Sequence, residues 1–254
     1  MEKTLKQIAD YPLNKQQAAL WFLGQSGFII KSCDTVIAID PYLSDSVAKT
    51  SPKLTRRYPP PIQPASLKVD LFIVTHDHLD HLDPETIAAY PHKESTLFIG
   101  PRLACKKLES LAIPRQQIVQ IDSGQKQTVR GVEIQGIYAI ANEPAVIDTC
   151  GYRIEFENGR SVYHSADTGF SPLLLECAPS AEVALVCING QWGNLNIEQA
   201  SALANQVNPI YAIPHHYDLM ELNAANPESF RYQMNSVNPK IQVKILRVPD
   251  PFVW

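Results

Sequence analysis

Residues 70–75, Asp-Leu-Phe-Ile-Val-Thr, form an apolar run that breaks directly into His76-Asp77-His78-Leu79-Asp80-His81. The run is β-branched and aromatic, so it reads as a buried strand that stops where the polar residues begin. If His76 and His78 keep the strand's period of two, both imidazoles lie on one side. Asp80 and His81 then come from the turn beyond, and Asp83-Pro84-Glu85 opens a helix with Asp83 as N-cap. A solvated turn would draw on Gly, Asn and Ser rather than three histidines. Burying so many titratable groups is costly unless they are paired or coordinated. The segment therefore reads as part of a metal site held between a strand end and a helix start.

The 254 residues are ample for a substantial core and are expected to form a single domain over 1–254. A formal charge of −4 provides no basic field for a nucleic-acid polymer. Five scattered cysteines without a C-x-x-C pair argue against a disulfide framework or a thiolate zinc site. They are expected to be reduced, buried and structural. Residues 1–17 lack an apolar signal-peptide core, and no stretch is long and apolar enough to span a bilayer. The expected setting is cytoplasmic and away from membranes, with self-association into a homo-oligomer allowed.

Strands are expected at 19–23, 28–31, 36–40, 96–99, 118–121, 127–129, 132–139, 152–156, 161–163, 183–188, 210–213 and 242–248. Helices are expected at 101–111, 197–207 and 227–235. Asn158-Gly159 marks a hairpin between 152–156 and 161–163. Segment 51–64 is proline-rich, carries Lys53, Arg56 and Arg57, and cannot be a central strand or regular helix. It is either a surface connection or a substrate-binding loop. Strand-rich stretches alternating with single helices suit an α/β (α+β) class fold, a four-layer αββα sandwich.

Two further apolar strands end in groups that bind metals. Tyr163-His164-Ser165-Ala166-Asp167 places Asp167 at a tip, as a carboxylate ligand that could bridge two metals or as a turn residue before Gly169. His164 lies nearer the strand body and reads as a satisfied core histidine or as a donor to a ligand. In Ile213-Pro214-His215-His216-Tyr217, adjacent histidines in extended chain face opposite ways, so only one reaches a shared site.

Taken together, His76 to His81, His164 to Gly169 and Pro214 to Tyr217 resemble the metallo-β-lactamase superfamily, and within it the L-ascorbate-6-phosphate lactonase branch. Supporting segments are Trp21 to Gly27, Ile39-Asp40-Pro41, Phe98 to Pro101 and Ile188-Asn189-Gly190, so the likeness runs from about Leu20 to Phe230. The resemblance implies the αββα fold with metal at the sheet edges. It implies His76, His78, Asp80, His81, Asp167 and His216 as metal-site residues, His216 being preferred to His215. The superfamily usually supplies another histidine before the bridging aspartate; here the 137–142 strand ends in Asn142, as the lactonase branch likewise lacks that histidine. Asn142 is a weak oxygen ligand, a water-mediated contact to substrate or a turn residue. Ala166 stands where a glycine is usual, which should matter mainly to packing.

Imidazoles and carboxylates suit Zn²⁺, Mn²⁺ or Fe²⁺, and the resemblance points to Mn²⁺, with one or two ions of Mn²⁺ or Zn²⁺ expected as cofactor. The metal would lower the pKa of bound water and polarise a carbonyl or phosphoryl oxygen. The expected activity is hydrolysis of a small polar, phosphorylated lactone or ester by metal-bound hydroxide. Asp80 orients the hydroxide or passes a proton to the leaving alkoxide. Arg56, Arg57 and Lys53 are candidates to hold the anionic group, with Asn142 beside them. Trp192 and Tyr217 either wall the pocket or pack the core. Alternatives on the same fold are a phosphodiesterase of small nucleotides, a thioester or glyoxalase-type hydrolase, and a non-catalytic metal or ligand sensor.

Overall fold

Alternation along the first strands sorts side chains into two cores. In β1 (Ala18–Gly24), Leu20 and Phe22 face one way and Ala19, Trp21 and Leu23 the other. The same split recurs in β2 (Gly27–Ser32), β3 (Thr35–Ile39), β4 (Leu71–Ile73) and β5 (Leu97–Gly100). A strand buried on both faces has to be covered on both. In the computed structural model, which describes residues 8, 10–141, 146–223 and 225–254, one cover is a second sheet and the other is helical.

The first sheet runs β14-β1-β2-β3-β4-β5-β6, where β6 is Ile118–Gln120 and β14 is Pro251–Val253. Its partner adds β7 (Lys126–Val129), β8 (Val132–Tyr138), β9 (Cys150–Glu155), β10 (Ser161–His164), β11 (Val183–Cys187), β12 (Tyr211–His215) and β13 (Gln242–Val243), in the order β13-β12-β11-β10-β9-β8-β7. Both sheets are mixed. β3 to β6 are mutually parallel, as are β10 to β13, while β1–β3 and β7–β10 pair antiparallel. Ile30, Ile37, Leu71, Ile134, Tyr152, Ile154, Val162 and Leu185 fill the space between the sheets.

Helices α1 (Ser46–Thr50), α2 (Pro84–Ala89) and α3 (Arg102–Ser110) follow strands of the first sheet, and Ile87, Ala104 and Leu108 bury against its outer face. On the second sheet lie α4 (Pro172–Glu176), α5 (Ile197–Val207) and α6 (Pro227–Val237). Asn196 caps α5 with a reciprocal capping box to Gln199, and Leu203, Val207, Phe230 and Met234 join the core. The αββα layering is as expected.

Two departures concern element ends. The expected strand at 242–248 forms only as Gln242–Val243, and the chain then crosses to the other sheet, where 251–253 pairs antiparallel with β1. β4 also stops at Ile73, so His76 and His78 follow the strand rather than extend it. No helix among the described residues is long and apolar enough to cross a membrane.

Candidate metal centre

The site gathers where β3, β4, β10 and β12 end, together with the β1–β2 turn. At three of these ends a non-glycine residue adopts a left-handed backbone: Asp40 (φ 43°), Ala166 (φ 59°) and His216 (φ 61°). Such conformations are costly for residues bearing a Cβ and persist where packing over-determines them. Each one abruptly turns the chain off its strand. Ala166, expected to matter mainly to packing, is fully buried and also holds a φ that a glycine would adopt without strain.

Asp40 is fully buried and anchors the first cluster. Its carboxylate accepts from the Thr75 amide at 2.8 Å and the Thr75 hydroxyl at 2.6 Å, and holds His81 Nδ1 at 2.7 Å. That fixes the His81 ring with Nε2 turned inward, the second-layer arrangement usual behind a metal-binding histidine. Asp83 caps α2 by accepting from the Glu85 amide, with Pro84 at the first helical position, as expected. His76 Nε2 lies 3.0 Å from His78 Nδ1, so the two imidazoles do meet without strand geometry.

Around His81 Nε2 the remaining groups converge. Asp167 Oδ2 is 3.5 Å away and Asp80 Oδ2 3.8 Å. His216 Nε2 lies 3.0 Å from Asp167 Oδ2 and 3.7 Å from Asp80 Oδ2. Three overlapping groups place their ligand atoms within 4.8 Å of one another: His76, His81 and Asp167; Asp80, His81 and His216; Asp167, Cys187 and His216. The sequence-expected His76, Asp80, His81, Asp167 and His216 are thus brought together, with His78 at the cavity edge. Asn142 lies outside the described residues.

Several supporting residues were not singled out from sequence. Gln25, at φ 55° in the β1–β2 turn, donates to Asp80 Oδ2 at 2.8 Å and lies 3.1 Å from His216 Nε2. Asn194 donates to Asp167 Oδ2 at 3.0 Å, and the Asn223 amide holds His216 Nδ1 at 2.7 Å. The only sequence signals were strand-end positions, as in Ile39-Asp40-Pro41. Cys187, expected like the other cysteines to be reduced, buried and structural, is fully buried and places its sulfur near Asp167 and His216.

Charge balance agrees with a cation site. Burial pushes Asp167 upward, but His216 and His81 more than offset it and hold the carboxyl well below its usual range. Asp80 likewise combines burial with the opposing pull of His81 and His216, and ends lowered. Burial would discharge His81, yet Asp167, Asp80 and Asp40 raise it well above the usual imidazole value. His76 is lowered well below that value, by burial and by His81. His81 Nε2 and Asp167 Oδ1 are buried without a hydrogen-bond partner. Two orphaned donor atoms, of the types a divalent metal takes, at the centre of the cluster fit such an ion.

The cluster floors an open cavity of about 380 Å³ lined by Val47, Leu54, His78, Asp80, Trp192 and Met220 among others. Trp192 is therefore a wall residue. Tyr217 instead stacks on Phe22 at 5.5 Å and lines a separate cavity. Ser51 and Leu54 bring the start of the proline-rich segment into the wall, and that segment is pinned by the Arg57 amide donating to Leu219 O at 2.7 Å. The expected anion-holding role of Arg56 and Arg57 meets a different arrangement. Arg56 donates to the carbonyls of Tyr42 and Tyr58, Arg57 pairs with Asp218 at 3.1 Å, and neither lines the cavity. No Lys or Arg does so among the described residues.

Residues 35–217 match the family model described as the beta-lactamase superfamily domain, and the chain belongs to the metallo-β-lactamase superfamily. Within it, the chain is 30% identical over 257 residues to a UPF0173 metal-dependent hydrolase of Cupriavidus metallidurans, covering 91% of this chain and 82% of that one. The fold is also that of Igni18, a novel metallo hydrolase from Ignicoccus hospitalis, with a TM-score of 0.73, 21% identity, and 94% and 98% of the two chains covered. An isothiocyanate hydrolase from Delia radicum gut bacteria matches with a TM-score of 0.73 at 15% identity, over 92% of this chain and 98% of its own.

Proposed function

We propose that the protein is a metal-dependent hydrolase of a small, uncharged lactone or ester. The observation that carries this is the cavity itself: its floor offers Asp80, Asp167 and His216, and its walls are apolar or neutral. His76, His78, Asp80, His81, Asp167 and His216 would hold the metal, which when bound supplies Lewis-acid activation of a carbonyl oxygen and of water. Its relatives' shared description as metal-dependent hydrolases supports that class.

The chain's own residues divide the remaining work. Asp40 and Asn223 orient the two imidazoles; Gln25 and Asn194 hold the two carboxylates in place. Asp80 reaches the cavity with its side chain 19% exposed, so it can accept a proton from water and return one to a leaving alkoxide. Leu54, Trp192 and Met220 provide apolar contact for the substrate body.

A phosphorylated lactone, as the ascorbate-6-phosphate lactonase branch would take, needs a cationic partner that the described walls lack. We therefore rank uncharged lactones and esters ahead of phosphorylated ones, and both ahead of phosphodiesters. Assaying the Zn²⁺- and Mn²⁺-loaded protein against matched lactones with and without phosphate, simple esters and cyclic nucleotides tests this. Turnover of uncharged lactones or esters is expected. Activity confined to phosphodiesters or phosphorylated lactones would overturn the substrate ranking, and bound metal without turnover of any class would favour a sensor.

A further inference from the structure

We propose that Cys187 is a sulfur donor to the metal held by Asp167 and His216. This rests on the metal-centre reading above and concerns a residue that the histidine and aspartate set does not include. Cys187 is the last residue of β11 and is fully buried. Its sulfur and the ligand atoms of Asp167 and His216 all lie within 4.8 Å of one another, the spacing expected of groups that can share one ion.

One feature points to a ligand there rather than to a thiol that merely fills space. Asp167, only 8% exposed, keeps Oδ1 buried and unpartnered although Oδ2 is engaged by His216 and Asn194. A buried carboxylate oxygen left so is costly unless something binds it. Cys187 is also tied to the opposite ligand through side chains. Its sulfur meets Asn189 Oδ1 at 3.1 Å, the Asn189 amide donates to Asn223 Oδ1 at 2.6 Å, and Asn223 holds His216 Nδ1 at 2.7 Å. As Cys187 donates to Asn189 Oδ1, so the two other buried cysteines donate to backbone carbonyls: Cys105 to Gly100 and Val119, Cys150 to Ile137 and Gly151. Neither joins a ligand group among the described residues.

Coordination breaks the S–H bond: the sulfur keeps the electron pair that it gives to the metal, and the proton leaves to solvent. A thiolate favours zinc or iron over manganese, because the softer ions gain most from sulfur. The centre would then be a mixed sulfur, nitrogen and oxygen site rather than a purely imidazole and carboxylate one.

X-ray absorption on the full zinc-loaded chain needs no variant. A sulfur neighbour at about 2.3 Å is expected, whereas nitrogen and oxygen neighbours alone at about 2.0–2.2 Å would overturn the proposal. Cobalt substitution gives a second readout. The wild type should show a sulfur-to-cobalt charge-transfer band that Cys187→Ser abolishes and Cys105→Ser retains, with zinc affinity in Cys187→Ser reduced at least about tenfold. A band that survives Cys187→Ser, or is absent from the wild type, contradicts it. Zinc bound without sulfur leaves the hydrolase reading intact and sinks only this inference; failure to bind any metal sinks both.

Discussion

Two groups of buried histidines sit side by side in this molecule and differ in one respect. His164 and His215 stack at 4.5 Å between ring centroids, and every ring nitrogen has a partner in Ser26, Ser165 or the Ala166 amide. His81 and His216, nearby on the same sheet edges, keep company with two carboxylates and leave His81 Nε2 and Asp167 Oδ1 unmatched. The first group is satisfied by protein alone; the second leaves two buried atoms on which a cation could be held. The left-handed residue after each strand separates them: His164 and His215 end their strands inside the core, while Ala166 and His216 turn the chain towards the cavity. Company with carboxylates, more than burial, sets His81 and His216 apart from the structural pair.

The largest effect should come from crossing that boundary. Asp167→Ala is expected to abolish metal-dependent hydrolysis in a folded protein, and full activity in the purified variant would erase the distinction. His215→Ala should do the converse, lowering stability by about 2–4 kcal/mol through a cavity and the loss of the Ser26 hydroxyl's ring partner while the folded fraction still binds metal. Urea unfolding followed by metal analysis would read both quantities.

Much of this contrast was legible in the chain. The six-residue cluster after the 70–75 run and the Asp167 tip followed from residue chemistry at strand ends; strand periodicity did not reach His76 and His78, nor His216, which lie beyond β4 and β12. The choice of His216 needed a family likeness, because φ 61° at that residue comes from tertiary packing and leaves no local signal. Asp40, Gln25, Asn194 and Asn223 are single polar residues at strand ends or in loops, recognisable only once the sheets bring them together. The nearness of Cys187 to Asp167 and His216 left no trace in the sequence, because a lone cysteine carries no spacing signature. Basic residues in the 51–64 loop suggested anion binding, yet Arg56 donates to the Tyr42 carbonyl, which ties the loop down, and to the carbonyl of Tyr58 within it.

Supporting contacts should give intermediate effects. Asn223→Ala leaves His216 Nδ1 without its amide partner and should weaken metal binding about 10–100-fold without abolishing it. Competition against a chelator of known affinity measures this, and an unchanged affinity would remove Asn223 from the site.

Buried histidines of the metal-free protein shift in opposite directions. Burial, with His81 acting on His76 and His164 on His215, lowers His76, His164 and His215 below the ordinary value of 6.5. Their contribution is therefore present above 6.5 and falls away as the unfolded chain takes up protons at lower pH. His81 is raised, so its contribution is full below 6.5 and is lost as pH rises through its folded value. Stability of the metal-free protein should thus peak near pH 6.5, and a flat urea profile between pH 5 and about 8 would contradict the assignment. The smallest effect belongs to Ala166→Gly, which relieves the left-handed strain at φ 59° against glycine's greater chain entropy. A gain of roughly 0.5 kcal/mol is expected, and a loss would show that the alanine methyl packs productively.

The central claim is that the orphaned cluster, and not the satisfied pair, is the metal centre. Zinc titration of wild type, Asp167→Ala and His164→Gln in parallel addresses it most directly. Tight binding by wild type and His164→Gln with none by Asp167→Ala is the predicted result. Equal binding by all three, or loss only in His164→Gln, would contradict it.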